Sequence, residues 1–122
     1  MTQVSRLLGR TNEELAAAEL LLVNNLGRVC VSRCYYAMFY AAQACLASKS
    51  IESRTHRGVI QLFGQHFIKT GELPKDFSQL LSETYTLRQV GDYDDDELTD
   101  SQFESTLAAA QLFVNRVEQL LL

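Results

Sequence analysis

The segment from Arg28 to Ser48 constrains the fold of this chain more than any other part of the sequence. It reads RVCVSRCYYAMFYAAQACLAS, and its apolar residues lie on nearly every side of a helix rather than along one stripe. Such a helix has to be surrounded by other elements, because it has no broad polar face to present to water. Ala37, Ala41 and Ala44 form a stripe of small residues that lets a neighbouring helix approach closely. We therefore expect this segment to be the central helix of a bundle.

Helix start and stop signals divide the flanking sequence. Thr11 and Glu14 form a capping box that predicts the start of the first helix, and Gly27 is placed to end it. Thr55 is an N-cap residue for a third helix, which we expect Gly71 to end. The chain therefore enters and leaves the central helix through two others.

Two more helices are predicted in the second half of the chain. Pro74 suits the first turn of the fourth, and residues 91–97 break its pattern. Thr99 and Gln102 form a second capping box at the start of the fifth helix. The apolar residues of the fifth helix repeat at spacings of four and three, which is typical of a bundle seam: Phe103, Leu107, Ala110, Val114, Val117 and Leu121.

Composition supports one all-α domain. The chain has 122 residues, of which 47% are hydrophobic, so it can bury a real core but is too short for two domains. No run of β-branched residues alternates with polar ones for long enough to predict a strand. We predict that residues 1–122 form a single domain, an up-and-down antiparallel bundle of about five helices.

Charge and hydropathy argue against several classes of protein. The net charge is −4 and the sequence pI is about 5.1, which disfavours a strongly basic nucleic-acid binder and leaves room only for a local basic patch. No stretch approaches the roughly 18 apolar residues that span a membrane. The N-terminal residues lack the apolar core of a signal peptide. We expect a cytoplasmic protein without a membrane or DNA partner.

The cysteines and histidines do not indicate a metal site. Cys30, Cys34 and Cys45 fall in one predicted helix, and Cys45 is too far along its axis to share a zinc ion with Cys30. His56 and His66 are likewise too far apart along one helix to share an ion. We expect the cysteines to be buried packing residues rather than reactive thiols, and the histidines to lie at the surface or at helix ends rather than act as general bases. No metal or cofactor is predicted.

The acidic run at residues 92–97 is a further candidate for a cation site. It lacks the glycine and the distal glutamate of a calcium-binding loop. Acidic residues just ahead of a helix also interact favourably with the helix dipole, and we expect that role here.

Two groups of polar residues in apolar surroundings, which we call the polar islands, say more about function than the acidic run does. Arg33, Tyr36 and Tyr40 follow at spacings of three and four, so they share one face of the central helix. Arg88 and Asp92 lie one turn apart at the end of the fourth helix. Since a half-buried guanidinium requires a carboxylate, Asp92 is the expected partner of Arg88 or of Arg33. The islands are then either an ion-pair and tyrosine network that fixes two helices, or a pocket whose arginines hold a phosphate.

At these residues the sequence resembles the HEPN domain family. The likeness is carried by SRCYYAMFYAAQACL at 32–46, SRTHRGVIQLFGQHFIKTG at 53–71 and LRQVGDYDDDELT at 87–99, and it covers about the whole chain. The most similar branch consists of small stand-alone HEPN proteins. The resemblance implies a helical bundle, a homodimer, and a partnership with a minimal nucleotidyltransferase in toxin–antitoxin-like pairs.

Many HEPN domains are metal-independent ribonucleases with an arginine followed a few residues later by a histidine. Arg88 matches that arginine, but Tyr93 follows at the four-residue spacing and no histidine comes after it. Tyrosine, with a reference pKa of about 10, is a poor general base near neutral pH. We therefore expect a module that binds a nucleotide, RNA or a partner rather than an enzyme. The alternatives are a ribonuclease toxin that uses Arg88, Asp92 and Tyr93, and a helical scaffold without a ligand. The ligand-binding candidates are Arg33, Tyr36, Tyr40, Arg88, Asp92 and Tyr93.

Overall fold

The structure, a computed structural model, describes residues 2–93 and 98–122, with the side chains of all of these except 91–93. A short π-helical turn, Gly64–Ile68, continues the third helix. No strand occurs in the described ranges, which confirms the all-α prediction, and none of their helices is long and apolar enough to cross a membrane. The α-helices are α1 (Gln3–Val23), α2 (Gly27–Ser48), α3 (His56–Phe63), α4 (Phe77–Tyr93) and α5 (Asp100–Leu121).

Helix α2 is the centre of the bundle, as its apolar sequence predicts. It packs against each of the other four α-helices and contributes more buried residues than any of them. Ala37, Ala41 and Ala44 are completely buried, so small side chains do line the contacts of this helix. Cys30 and Cys34 are buried free thiols on the same helix, as is Cys45, which confirms their role as packing residues.

The long helices alternate in direction. A tight turn at residues 24–26 joins α1 to α2. Lys49, just past the end of α2, pairs with Glu72 ahead of α4 at 2.7 Å. Arg88, late in α4, reaches Tyr36 in the first half of α2. Helix α4 therefore runs antiparallel to α2, and the four long helices confirm the predicted up-and-down bundle. The short helix α3 follows the direction of α2, since it begins beside Tyr35 and its π-helical turn reaches Lys49.

Gly27 begins α2 instead of ending the first helix, which stops at Val23. A Cβ atom at residue 27 would overlap the ring of Phe103, near the start of α5. The glycine is therefore needed for close approach between two helices, and its role as a helix stop was predicted wrongly. The same contact places the beginnings of α2 and α5 side by side.

The predicted start of the first helix is also wrong. Helix α1 begins at Gln3, and the side chain of Thr2 caps it by accepting a hydrogen bond from the backbone N–H of Ser5 at 3.1 Å. Thr11 is a buried residue inside the helix and donates its hydroxyl to the carbonyl of Leu7 at 2.9 Å. A threonine inside a helix can bond back to a carbonyl one turn earlier, so the capping-box pattern alone does not fix a helix start.

Of the other predicted helix boundaries, some are confirmed and some are wrong. Thr55 caps α3, and Thr99 with Gln102 forms the predicted reciprocal capping box of α5. Pro74 precedes α4 and is not in its first turn, since that helix begins at Phe77. Helix α4 also continues through residues 91–93, where a break was expected. The acidic residues at 94–97 lie outside the described residues.

Four phenylalanine rings fill the core between α3, its π-helical turn, α4 and α5. The rings of Phe77 and Phe113 stack with centroids 4.8 Å apart, and Phe63 lies 5.6 Å from Phe113. Phe67 stacks on Phe63 at 5.9 Å. All four are buried, and we refer to them as the phenylalanine core. Of the predicted α5 seam, Ala110, Val114 and Val117 are buried, whereas Phe103, Leu107 and Leu121 are half-buried.

Candidate functional site

Tyr36 is the point at which the two predicted polar islands meet. The guanidinium carbon of Arg33, one turn earlier on α2, lies 5.1 Å from the centroid of the Tyr36 ring. The guanidinium carbon of Arg88, on α4, lies at the same distance of 5.1 Å. Tyr40 continues the row with its ring centroid 6.0 Å from that of Tyr36. Antiparallel packing of α2 and α4 therefore brings four of the six predicted ligand-binding residues together.

The carboxylate partner of Arg33 is Glu14, at 2.8 Å. This partner comes from α1 and was not predicted. Since α1 begins early in the chain, Glu14 lies in its middle and faces the first half of α2. The side chains of Asp92 and Tyr93 lie outside the described residues, although their backbone belongs to α4.

Arg10 adds a third guanidinium that the sequence pattern did not reveal. Its guanidinium donates a hydrogen bond to the hydroxyl of Tyr40 at 2.8 Å, and its carbon lies 4.2 Å from the centroid of that ring. The two residues are far apart in the sequence, so no local spacing could have paired them. We call the group formed by Arg10, Arg33, Tyr36, Tyr40 and Arg88 the arginine–tyrosine face.

This face can hold phosphates and stack planar rings. A guanidinium carries five N–H donors, so Arg33 keeps donors for a ligand even while it binds Glu14. Its side chain is 34% exposed, and that of Glu14 is 21% exposed, so the pair is open to water. Among the described side chains, the face brings three guanidinium groups together on a chain whose net charge is −4.

A second aromatic group adjoins the arginine–tyrosine face, where the rings of Tyr35 and Tyr36 lie 5.4 Å apart. The hydroxyl of Tyr35 and Nδ1 of His56 form a hydrogen bond at 2.6 Å. The imidazole also contacts Tyr85, with centroids 4.9 Å apart, and Phe39, at 5.0 Å. We call Tyr35, Phe39, His56 and Tyr85 the histidine–tyrosine cluster. His56 does begin a helix, as predicted, but it is half-buried among rings and not simply a surface residue.

The protonation states in this cluster follow from its burial. Burial, assisted by the nearby charge of Arg88, lowers the pKa of His56 below its ordinary value of 6.5. Burial is also the main cause that raises the pKa of Tyr35 far above its ordinary value, and Tyr85 and Tyr36 raise it further. At neutral pH the imidazole is therefore uncharged and the Tyr35 hydroxyl keeps its proton.

Two cavities flank the arginine–tyrosine face. One of about 440 Å³ is lined by His56 and Tyr85 of the histidine–tyrosine cluster together with three further α3 residues. The other, of about 650 Å³, has Arg10 in its wall beside residues of α1, α2 and the segment that follows α2. In the part of the chain that the structure describes, no group of His, Cys, Asp and Glu side chains could hold a metal ion.

Comparison with known proteins gives consistent matches over nearly the full chain. The sequence model of the HEPN domain matches residues 4–120. A protein of Methanocaldococcus jannaschii that carries the name "Putative toxin" is 34% identical over 98% of this chain and 89% of its own length. A second protein of that organism with the same name is 33% identical over 98% of this chain and 82% of its own. A UPF0332 protein of Gloeobacter violaceus is 40% identical, covering 86% and 83%.

Proposed function

Since this chain belongs to the HEPN domain family, we propose that it is a dimeric module that binds nucleotides or RNA within a toxin–antitoxin-like pair. Its partner in that pair would be a minimal nucleotidyltransferase, as the family resemblance implies. Two relatives that match nearly the whole chain carry the name "Putative toxin", which supports the toxin side of such a pair.

The observation that carries the proposal is the position of two guanidinium groups on the ring of Tyr36. Arg33 and Arg88 come from different helices and both lie 5.1 Å from its centroid. Arginine binds phosphate oxygens in a bidentate manner, and an aromatic ring stacks an unpaired base. The combination of stacked rings and cations is typical of surfaces that bind single-stranded nucleic acid.

The length of the arginine–tyrosine face favours a single-stranded nucleic acid as its ligand over a lone phosphate. Tyr36 and Tyr40 lie one helical turn apart with centroids separated by 6.0 Å, and Arg10 covers the far end. Successive rings at this spacing can contact successive nucleotides. Since the chain is acidic overall, binding depends on the guanidinium groups of this face and should weaken as salt is added.

RNA cleavage is the second candidate function. Arg88 matches the arginine of the ribonuclease motif, and one histidine lies near it in space although not in sequence: the charge of Arg88 acts on His56. An Arg88→Ala variant that stops both cleavage of labelled RNA and growth inhibition would support this role. Cleavage that persists in that variant would overturn it.

The binding proposal is tested by fluorescence anisotropy with a labelled single-stranded RNA. Arg88→Ala and Arg33→Ala should each weaken binding by about tenfold, the loss expected when an arginine contact to nucleic acid is removed. The control is Arg116→Ala, which makes the same charge change at an exposed position on α5. Equal binding by all three variants, or no binding by the native chain, would contradict the proposal.

The dimer is tested separately by sedimentation equilibrium. A chain of 13.8 kDa should sediment with about twice that mass. A monomer at all accessible concentrations would remove the dimer from the proposal and leave the binding face to be judged by the RNA titration.

A further inference from the structure

The cavity of about 440 Å³ beside the histidine–tyrosine cluster has the walls of a pocket for a flat ring. It is lined by His56, Arg57, Ile60, Gln61 and Tyr85. Tyr85 and Ile60 supply aromatic and aliphatic surface, whereas Arg57 and Gln61 supply polar groups at exposed positions. A few polar groups on a mainly apolar wall are what fix the orientation of a small planar ligand.

The tautomer of His56 is set by Tyr35. The Tyr35 side chain is completely buried, and in the described residues its hydroxyl has one hydrogen-bond partner, Nδ1 of His56 at 2.6 Å. A buried hydroxyl proton that lacked an acceptor would be costly, so the hydroxyl donates to Nδ1. The neutral imidazole then carries its own proton on Nε2. His56 is thereby held as an uncharged hydrogen-bond donor in the wall of the cavity.

Arg88 connects this cavity to the arginine–tyrosine face. Its guanidinium lies over Tyr36, and its charge acts on His56. The Tyr35 ring lies 5.4 Å from that of Tyr36 and 5.3 Å from that of Tyr85, so the two aromatic groups are continuous. If Arg88 holds the phosphate of a ligand, the group attached to that phosphate can reach this cavity.

We propose that the cavity lined by His56, Gln61 and Tyr85 is a nucleobase subsite, which accepts a base presenting hydrogen-bond acceptors to the Nε2–H of His56. This inference rests on the proposed nucleotide binding and adds a base-recognition site to it. The base stacks on Tyr85, and Gln61 can donate to or accept from its edge. A neutral, fixed donor suits an uncharged base better than a phosphate, which the arginines hold. The subsite would therefore recognise the base, while the arginines bind the phosphate.

The test compares mononucleotides with ribose 5-phosphate, which carries the same phosphate but no base. Calorimetric titrations with AMP, GMP, CMP, UMP and ribose 5-phosphate give the affinity ratio for each base. We expect at least one nucleotide to bind about tenfold more tightly than ribose 5-phosphate, in line with stacking and base-edge contacts.

The decisive variant replaces both partners of the buried hydrogen bond, Tyr35→Phe with His56→Phe. Removing both polar partners leaves no unsatisfied buried group, so the fold should survive where His56→Phe alone could fail. Affinity for ribose 5-phosphate should stay unchanged, and the preferred nucleotide should lose about fivefold, the size of one hydrogen bond. His66→Phe is the control for loss of an imidazole elsewhere.

The outcomes separate this inference from the proposed function. If nucleotides and ribose 5-phosphate bind equally, or if the double variant leaves their affinity ratio unchanged, the subsite is wrong while the phosphate-binding face still stands. If none of these compounds binds the native chain and labelled RNA does not bind either, the proposed function fails and the subsite fails with it.

Discussion

The molecule contains two groups of aromatic rings that pack at similar distances but in opposite surroundings. In the phenylalanine core the contacting rings lie 4.8 to 5.9 Å apart and all are buried. In the arginine–tyrosine face and the histidine–tyrosine cluster the ring separations span a similar range, from 4.9 Å to 6.5 Å. Most of the latter side chains are half-buried, and their polar atoms bond to one another.

Under the proposed function, this difference separates side chains that stabilise the fold from side chains that bind a ligand. Phenyl rings have no polar atoms and stabilise the fold by burial alone, so any part of a ring left exposed would reduce that stabilisation. Tyrosine, histidine and arginine can be packed and still keep a ring face or an N–H group for a ligand. We infer that the phenylalanine core mainly stabilises the bundle, whereas the arginine–tyrosine face and the histidine–tyrosine cluster mainly bind the ligand.

The largest expected effect comes from the phenylalanine core. Phe113→Ala should lower the free energy of unfolding by about 3–5 kcal/mol, because it removes a buried ring and leaves a cavity. Urea denaturation measures the change. Leu112→Ala is the matched control, since Leu112 directly precedes Phe113 on α5 and is 51% exposed. A loss below about 1 kcal/mol for Phe113→Ala would show that this cluster is not the main source of stability.

A smaller effect is expected from the buried hydrogen bond of the histidine–tyrosine cluster. Tyr35→Phe keeps the ring and removes the hydroxyl that donates to His56, and should cost about 1 kcal/mol of unfolding free energy. The same denaturation experiment measures it, and NMR of the imidazole nitrogens reports the tautomer of His56. We expect the native chain to carry its proton on Nε2. A proton found on Nδ1 in the native chain would refute the hydrogen-bond direction inferred above.

The ion pair on the arginine–tyrosine face should contribute still less to stability. Both side chains are partly exposed, so a double-mutant cycle of Arg33→Ala and Glu14→Ala should give a coupling of about 0.5 kcal/mol. In RNA titrations, however, Arg33→Ala should weaken binding while Glu14→Ala should not. A coupling of several kcal/mol with no change in RNA affinity would instead support a purely structural network.

The smallest effect is the pH dependence that His56 confers. Its pKa is lowered in the folded chain from an unfolded value of 6.5, so on acidification the unfolded chain binds a proton first. The stability contribution is present above pH 6.5 and is lost as the pH falls through the lower folded pKa. In the described residues, the titratable and charged groups near the imidazole are Tyr35 on α2 and Tyr85 and Arg88 on α4.

Urea denaturation as the pH is lowered from about 8 to about 5 tests this dependence. The control is the variant with Tyr35→Phe and His56→Phe, which should lose less stability on acidification than the native chain. Equal slopes in the two proteins would mean that the environment of His56 does not disfavour its charged form.

Much of the fold could be predicted from local patterns. The all-round apolar segment at α2 and the capping box at Thr99 depend on residues close in the sequence, and the structure agrees with both. The predictions that Thr11 starts the first helix and that Gly27 ends it were wrong, because each of these residue types has two uses in helical proteins. A threonine can cap a helix or bond within it, and a glycine can end a helix or allow close packing.

The candidate site could be predicted only in part. Spacing on α2 placed Arg33, Tyr36 and Tyr40 on one face, and the structure adds Arg88 as expected. The contacts of Arg10 and the surroundings of His56 join residues from different helices, and no local pattern encodes such pairs. They follow from how the helices pack.

The most direct test of the division between the two aromatic groups is NMR chemical-shift mapping with a single-stranded RNA hexamer. We expect the backbone signals of the arginine–tyrosine face and of His56 to shift on titration, while those of the phenylalanine core stay in place. Shifts concentrated around the phenylalanine core, or no shifts at saturating RNA, would contradict the account.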